Sequence, residues 1–170
     1  MRFSLLFIIG LFFEISVLAH SELKLRNDAI HEQSTNQISW IDFESAIKAN
    51  EETEKPFFIE FYTDWCGWCK RMDNSTFLDE SVVKFLSENF HTVKMNPETT
   101  EDITYRGKVY EKKVYGNKKY NELAVNLLNG KMSFPSFVIL SNKEVRLGTI
   151  VGYHKSSGLI SKVKSIARIS

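Results

Sequence analysis

Two cysteines three residues apart, Cys66 and Cys69, follow directly on the short apolar run Phe57 to Tyr62, and the chain has no others. That run is aromatic and β-branched and is bounded by Pro56 and Thr63-Asp64, the profile of a buried strand. A helix starting near Cys66 then holds both sulfurs in its first turn, where they can close a small ring. The partial positive charge and free N–H groups of a helix N-terminus favour thiolate at Cys66, and Lys70 and Arg71 add positive potential. Cys66 is therefore the expected nucleophile. Cys69, one turn inside, is expected to be more buried and less acidic, suited to resolving a mixed disulfide. A purely structural disulfide is a rival reading, but so short a loop constrains the unfolded chain little. Half of a metal site is another. Its further ligands would have to come from His20, His31, His91 or His154, none at ligand spacing, so no metal is expected.

The 170 residues, 43% hydrophobic and 25% charged, have the balance of one globular core. With 22 basic against 21 acidic side chains, the net charge of +1 supplies no whole-protein field for nucleic acid or anionic membrane. Residues 1–19 carry Arg2, an uncharged run of 11 residues from Phe3 to Phe13, Glu14, and a second apolar piece ending at Ala19. The run is well short of the roughly 20 residues a spanning helix needs. Residues 1–19 thus read as a secretory signal peptide cleaved after Ala19, leaving no stable membrane span; the alternative is an uncleaved anchor. Residues 20–37 are polar, without apolar period, and read as a linker.

Downstream, helix and strand signals interleave over 38–170. Trp40, Phe43, Ala46 and Ile47 mark a helix over Ile41–Asn50. The helix at Cys66 should break at Asn74 to Thr76, and Val82, Leu86 and Phe90 mark another from near Asp79; His91–Met95 is the next strand. Tyr120–Leu128 reads as a helix closed by Asn129-Gly130. Pro135 opens the strand Phe137–Leu140, Val145–Val151 is its antiparallel neighbour, and a closing helix follows Ser156-Ser157. The class is α/β. Between Pro97 and Tyr120 the composition changes to four Tyr, six Lys or Arg, and Gly107 and Gly116. This stretch (97–119) reads as an inserted hairpin, with arms Ile103-Thr104-Tyr105 and Lys108-Val109-Tyr110, that either extends the sheet or shapes a partner-binding face. Lys-rich hairpins are usually solvated edges, and no nucleic-acid partner is expected.

Phe58-Ile59-Glu60-Phe61-Tyr62-Thr63-Asp64-Trp65-Cys66-Gly67-Trp68-Cys69-Lys70 resembles the active-site strand and loop of the thioredoxin-like superfamily. With Trp40, Lys55-Pro56, Phe77 and Val82, the pattern is most similar to exported bacterial thioredoxin-like proteins with a WCGWCK motif. The resemblance implies a thioredoxin-like fold: a central mixed β-sheet flanked by helices, here with an inserted hairpin before the helix that leads to the cis-proline strand. It implies a redox-active Cys66-Cys69 disulfide and a buried acid at Glu60 that exchanges a proton with Cys69, with Lys94 as that acid's partner. Burial among aromatic residues would raise the Glu60 pKa. The family's cis-proline falls at Pro135, Phe134 before it would touch substrate, and Gly152 takes the late glycine position, where a β-bulge is an equal explanation. Trp65, Gly67 and Trp68 would line the same substrate surface.

The chain departs from ordinary thioredoxins at Trp68, which stands where they have proline and protein disulfide isomerases have histidine. An indole cannot stabilise a thiolate as a histidinium can, which points to a reductant. The expected protein is an exported, periplasmic thiol-disulfide oxidoreductase without cofactor. It would act on disulfide-containing protein substrates and draw electrons from a membrane or soluble dithiol donor. The alternatives are an oxidase or isomerase using the same chemistry, and a non-catalytic binding module on the same fold.

Overall fold

The computed structural model describes residues 37–169. The segment 1–19 and, apart from Gln37, the linker 20–37 lie outside the described residues. The elements run α1 (Phe43–Asn50), β1 (Phe57–Phe61), α2 (Gly67–Asp73), a 3-10 turn (Thr76–Leu78), α3 (Glu80–Asn89), β2 (His91–Met95), β3 (Ile103–Tyr105), β4 (Lys108–Tyr110), β5 (Lys112–Tyr115), β6 (Lys118–Asn121), α4 (Glu122–Leu127), β7 (Ser136–Leu140), β8 (Arg146–Val151) and α5 (Ser156–Ala167). Oxygen side chains start three of the helices: Asp42 accepts the Ser45 N–H, Asp79 that of Ser81, and Asn121 that of Leu123, each satisfying a donor the helix leaves unpaired.

Four strands form the central sheet in the order β2-β1-β7-β8, with β1 and β2 parallel and the other pairs antiparallel. Every residue of β1 is buried, because helices cover both faces. The period of two sends Phe57, Ile59 and Phe61 into one core layer with Phe43 and Ala46 of α1 and Leu123 and Ala124 of α4. Phe58 points the other way, into a layer with Met72 of α2, Val82 and Leu86 of α3, and Leu159 and Val163 of α5. Glu60, two residues on, shares the Phe58 side. Gly148 lets β8 approach α5, since a Cβ there would stand 2.8 Å from Cγ2 of Ile166.

This is a thioredoxin-like fold with a mixed central sheet flanked by helices, as the resemblance implies. Three local expectations need correction. The first helix starts at Phe43, because Ile41 instead bridges to Val93 beside β2. The insertion holds two hairpins, β3–β4 and β5–β6, and neither joins the central sheet. Tyr120 and Asn121 end β6, so the following helix begins only at Glu122. Asn121 is held in place by donating to the Tyr110 carbonyl at 2.8 Å while its Oδ1 caps the helix.

Candidate active site

Strand β1 delivers the chain to the cysteines. Its end is pinned by the Tyr62 N–H donating to Met95 at 3.1 Å, and the Cys66 N–H then donates to the Thr63 carbonyl at 3.0 Å, closing the turn into α2. Cys66 is the N-cap of that helix, where its sulfur accepts the Cys69 N–H at 3.1 Å. A donor aimed at sulfur favours negative charge there, so the cap geometry suits a thiolate at Cys66 once the bond is open. Cys66 and Cys69 are joined as a disulfide, their Cα atoms 5.3 Å apart. Both are buried, Cys66 at 4% exposure and Cys69 at 1%, so access differs less than the sequence predicts.

Glu60 is fully buried on the α2 side of the sheet, and its register partner on β2 is Lys94. The Lys94 Nζ stands 3.5 Å from Glu60 Oε2 and also pairs with Asp73 at the end of α2. Among the described residues, neither Glu60 oxygen has a hydrogen-bond partner at standard length. Burial pushes the Glu60 pKa up to about 8; Lys94 opposes the shift and Asp73 adds to it. At neutral pH this carboxyl is mainly protonated, yet close enough to titration to give or take a proton.

The Phe134-Pro135 peptide is cis. The Ser136 hydroxyl, donating to Ser133 at 2.6 Å, ties its loop together, and the Gly152 N–H donates to the Pro135 carbonyl at 2.8 Å. Among the described residues, nothing pairs with the backbone N–H or C=O of Phe134. Gly152 has φ +87°, and a Cβ there would meet nothing within 4 Å. Its glycine thus answers to backbone conformation, and the sheet's register shift lies elsewhere, between Ile139 and Leu140.

Large rings flank the disulfide. Trp65 is 58% exposed and packs edge-on to Phe134 at 6.0 Å between centroids, while Trp68, 54% exposed, tilts against Tyr153 at 5.3 Å. The Arg71 guanidinium lies 5.5 Å from the Trp68 ring and 5.4 Å from that of Tyr153. Gly67 between the rings is exposed and unobstructed. The structure thus brings Trp65 to Phe134 and Lys94 to Glu60. Sequence reasoning missed Asp73, although four residues beyond Cys69 it lies on the same helical face, and it missed Tyr153, next to Gly152. No group of three or more His, Cys, Asp or Glu among the described residues could hold a metal ion. No helix among them is long and apolar enough to cross a membrane.

A family model, Thioredox_DsbH, described as "Protein of unknown function, DUF255", matches residues 23–147. Among curated relatives, human spermatogenesis-associated protein 20 is 32% identical over 89 residues, 47% of this chain and 11% of that protein. The thiol:disulfide interchange protein DsbD of Ralstonia nicotianae is 36% identical over 56 residues, 33% of this chain and 9% of that protein. The chain therefore spans only about a tenth of each. A solved structure titled "DsbH Oxidoreductase" superposes with a TM-score of 0.54 at 18% identity, covering 79% of this chain and 87% of that one. The chain belongs to the Thioredox_DsbH family and has a thioredoxin fold.

Proposed function

We propose that this protein is an exported thiol-disulfide oxidoreductase that reduces disulfides in envelope proteins. The observation that carries the reading is the Cys66-Cys69 disulfide at the head of α2, set between two exposed tryptophans. In the reduced state, the Cys66 thiolate attacks one sulfur of a substrate disulfide, and the other substrate sulfur leaves as a thiolate. Cys69 then attacks Cys66 within the mixed disulfide while Glu60 takes its proton. The substrate ends with two thiols and the enzyme with the disulfide. Lys94 balances the charge that Glu60 carries until it takes that proton. Phe134 presents its backbone N–H and C=O to an extended substrate strand, and Pro135, Gly152, Trp65, Gly67 and Trp68 line the surface around it.

A membrane or soluble dithiol donor restores the thiols. The likeness to DsbD, named a thiol:disulfide interchange protein, supports this chemistry. Residues 1–19 act as the export signal to the periplasm, and the WCGWCK motif groups the chain with exported bacterial proteins.

The opposite direction, as oxidase or isomerase, is favoured by Arg71, which places a cation beside Trp68 and would stabilise the Cys66 thiolate. The reduction potential of the Cys66-Cys69 pair, read by thiol trapping in a dithiothreitol or glutathione buffer, separates the two. A value near or below about −250 mV supports the reductant, and one above about −180 mV selects the oxidase or isomerase.

A further inference from the structure

The start of the insertion and its β5–β6 hairpin meet the catalytic loop at the Trp65 ring. The Trp65 Nε1–H donates to Glu98 Oε2 at 3.0 Å, and the Lys118 ammonium of β6 lies 4.3 Å from the centre of the indole. Glu98 and Lys118 face each other at 3.8 Å, and Lys112 of β5 donates to the Glu98 carbonyl. Tyr120, also on β6, meets Phe134 at 6.4 Å, and Phe134 meets Trp65. The insertion therefore touches both the ring before Cys66 and the residue before the cis-proline. These contacts fix the edge of the indole but leave most of the ring open, although a large apolar ring in water gains by folding down onto its neighbours. An exposed apolar surface held open beside a reactive disulfide marks a contact site for a partner.

Resting on the disulfide-exchange reading, we infer that the β5–β6 hairpin is a specificity element: Glu98 and Lys118 hold Trp65 upright so that Trp65 and Phe134, backed by the buried Tyr120, form an aromatic wall for a large apolar side chain beside the substrate cysteine. The favoured substrate is an extended polypeptide disulfide with such a residue next to its cysteine. Phe134 supplies the backbone pairing, and the wall supplies the side-chain selection. Glu98 and Lys118 are positioning residues, acting through Trp65.

The test compares the reduced wild-type protein with the double variant Glu98→Ala, Lys118→Ala. The substrates are oxidised glutathione and two disulfide-linked peptides that differ only in carrying Phe or Ser beside the cysteine. The wild type is expected to prefer the Phe peptide by about fivefold or more, the effect of burying part of one apolar side chain. In the double variant that preference should fall to about twofold or less through a rise in KM with little change in kcat, and Trp65 fluorescence should shift. No preference in the wild type, an unchanged preference in the variant, or equal losses for glutathione and both peptides would overturn the inference. A wild type that reduces none of the three disulfides would overturn the disulfide-exchange reading and this inference with it.

Discussion

Beneath and around the Cys66-Cys69 bond lie two groups of residues held by opposite means. Below it, Glu60, Lys94 and Asp73 form a chain of charges with Glu60 wholly buried. Around it, Trp65 and Trp68 are more than half exposed, each braced by a cation and a neighbouring ring. Burial costs the lower group solvation and thereby tunes proton affinity, whereas exposure leaves the upper group available for contact. The chemistry of the site should thus answer to changes below, and its affinity to changes above.

The sharpest break comes at the bond between the groups. Cys66→Ala should lower disulfide reductase activity by about a thousandfold or more; a protein that keeps its biological role without this thiol is instead a binding module. Next in size, Glu60→Gln should lower kcat by about a hundredfold and remove a rise in rate with pH whose midpoint in the wild type lies at about 8, seen in a stopped-flow pH profile.

The same variant reports on stability. Because the Glu60 pKa is raised from 4.5 to about 8, the folded protein keeps a proton that the unfolded chain releases between those values. Wild-type stability should therefore fall as pH rises through that window. Glu60→Gln should remove that decline and be the more stable protein at pH 9 by on the order of a few kcal/mol in urea titrations.

Asp73→Asn leaves the fold and the cysteines in place but frees Lys94 for Glu60, so the inflection of the rate profile should move to lower pH. Trp68→Ala acts above. It should raise KM for a protein disulfide by about fivefold with kcat nearly unchanged, which steady-state kinetics would show. If Trp68→Ala moved the pH profile, or Asp73→Asn only KM, the division between the two groups would fail.

How much of this was legible depended on whether the signal was local. The apolar run Phe57 to Tyr62 followed by two cysteines announces strand, turn and helix within one short stretch, and α3 starts at Asp79 as the sequence suggests. The cis Phe134-Pro135 peptide was read only through family resemblance, since proline in isolation favours trans. The second hairpin hid behind its lysines. Gly116-Asn117 is a hairpin signal, but Lys112, Lys113, Lys118 and Lys119 blur the alternation that would reveal the strands. The roles of Asp73 and Glu98 were hidden for another reason: each matters through a partner distant in sequence, Lys94 and Trp65, which only the folded sheet and insertion bring near.

The two ends of the insertion meet where the Asn121 N–H donates to the Pro97 carbonyl at 2.8 Å. The chain leaves the scaffold and returns to it at one point, so the stretch between is a cartridge closed at its base and docked on the core through Ile103, Tyr105 and Tyr110. Closing a longer or shorter loop across that junction changes the entropy of the unfolded chain only slowly. Drift at the exposed tip of the β5–β6 hairpin would therefore retarget the protein while the sheet that holds the cysteines goes on folding as before.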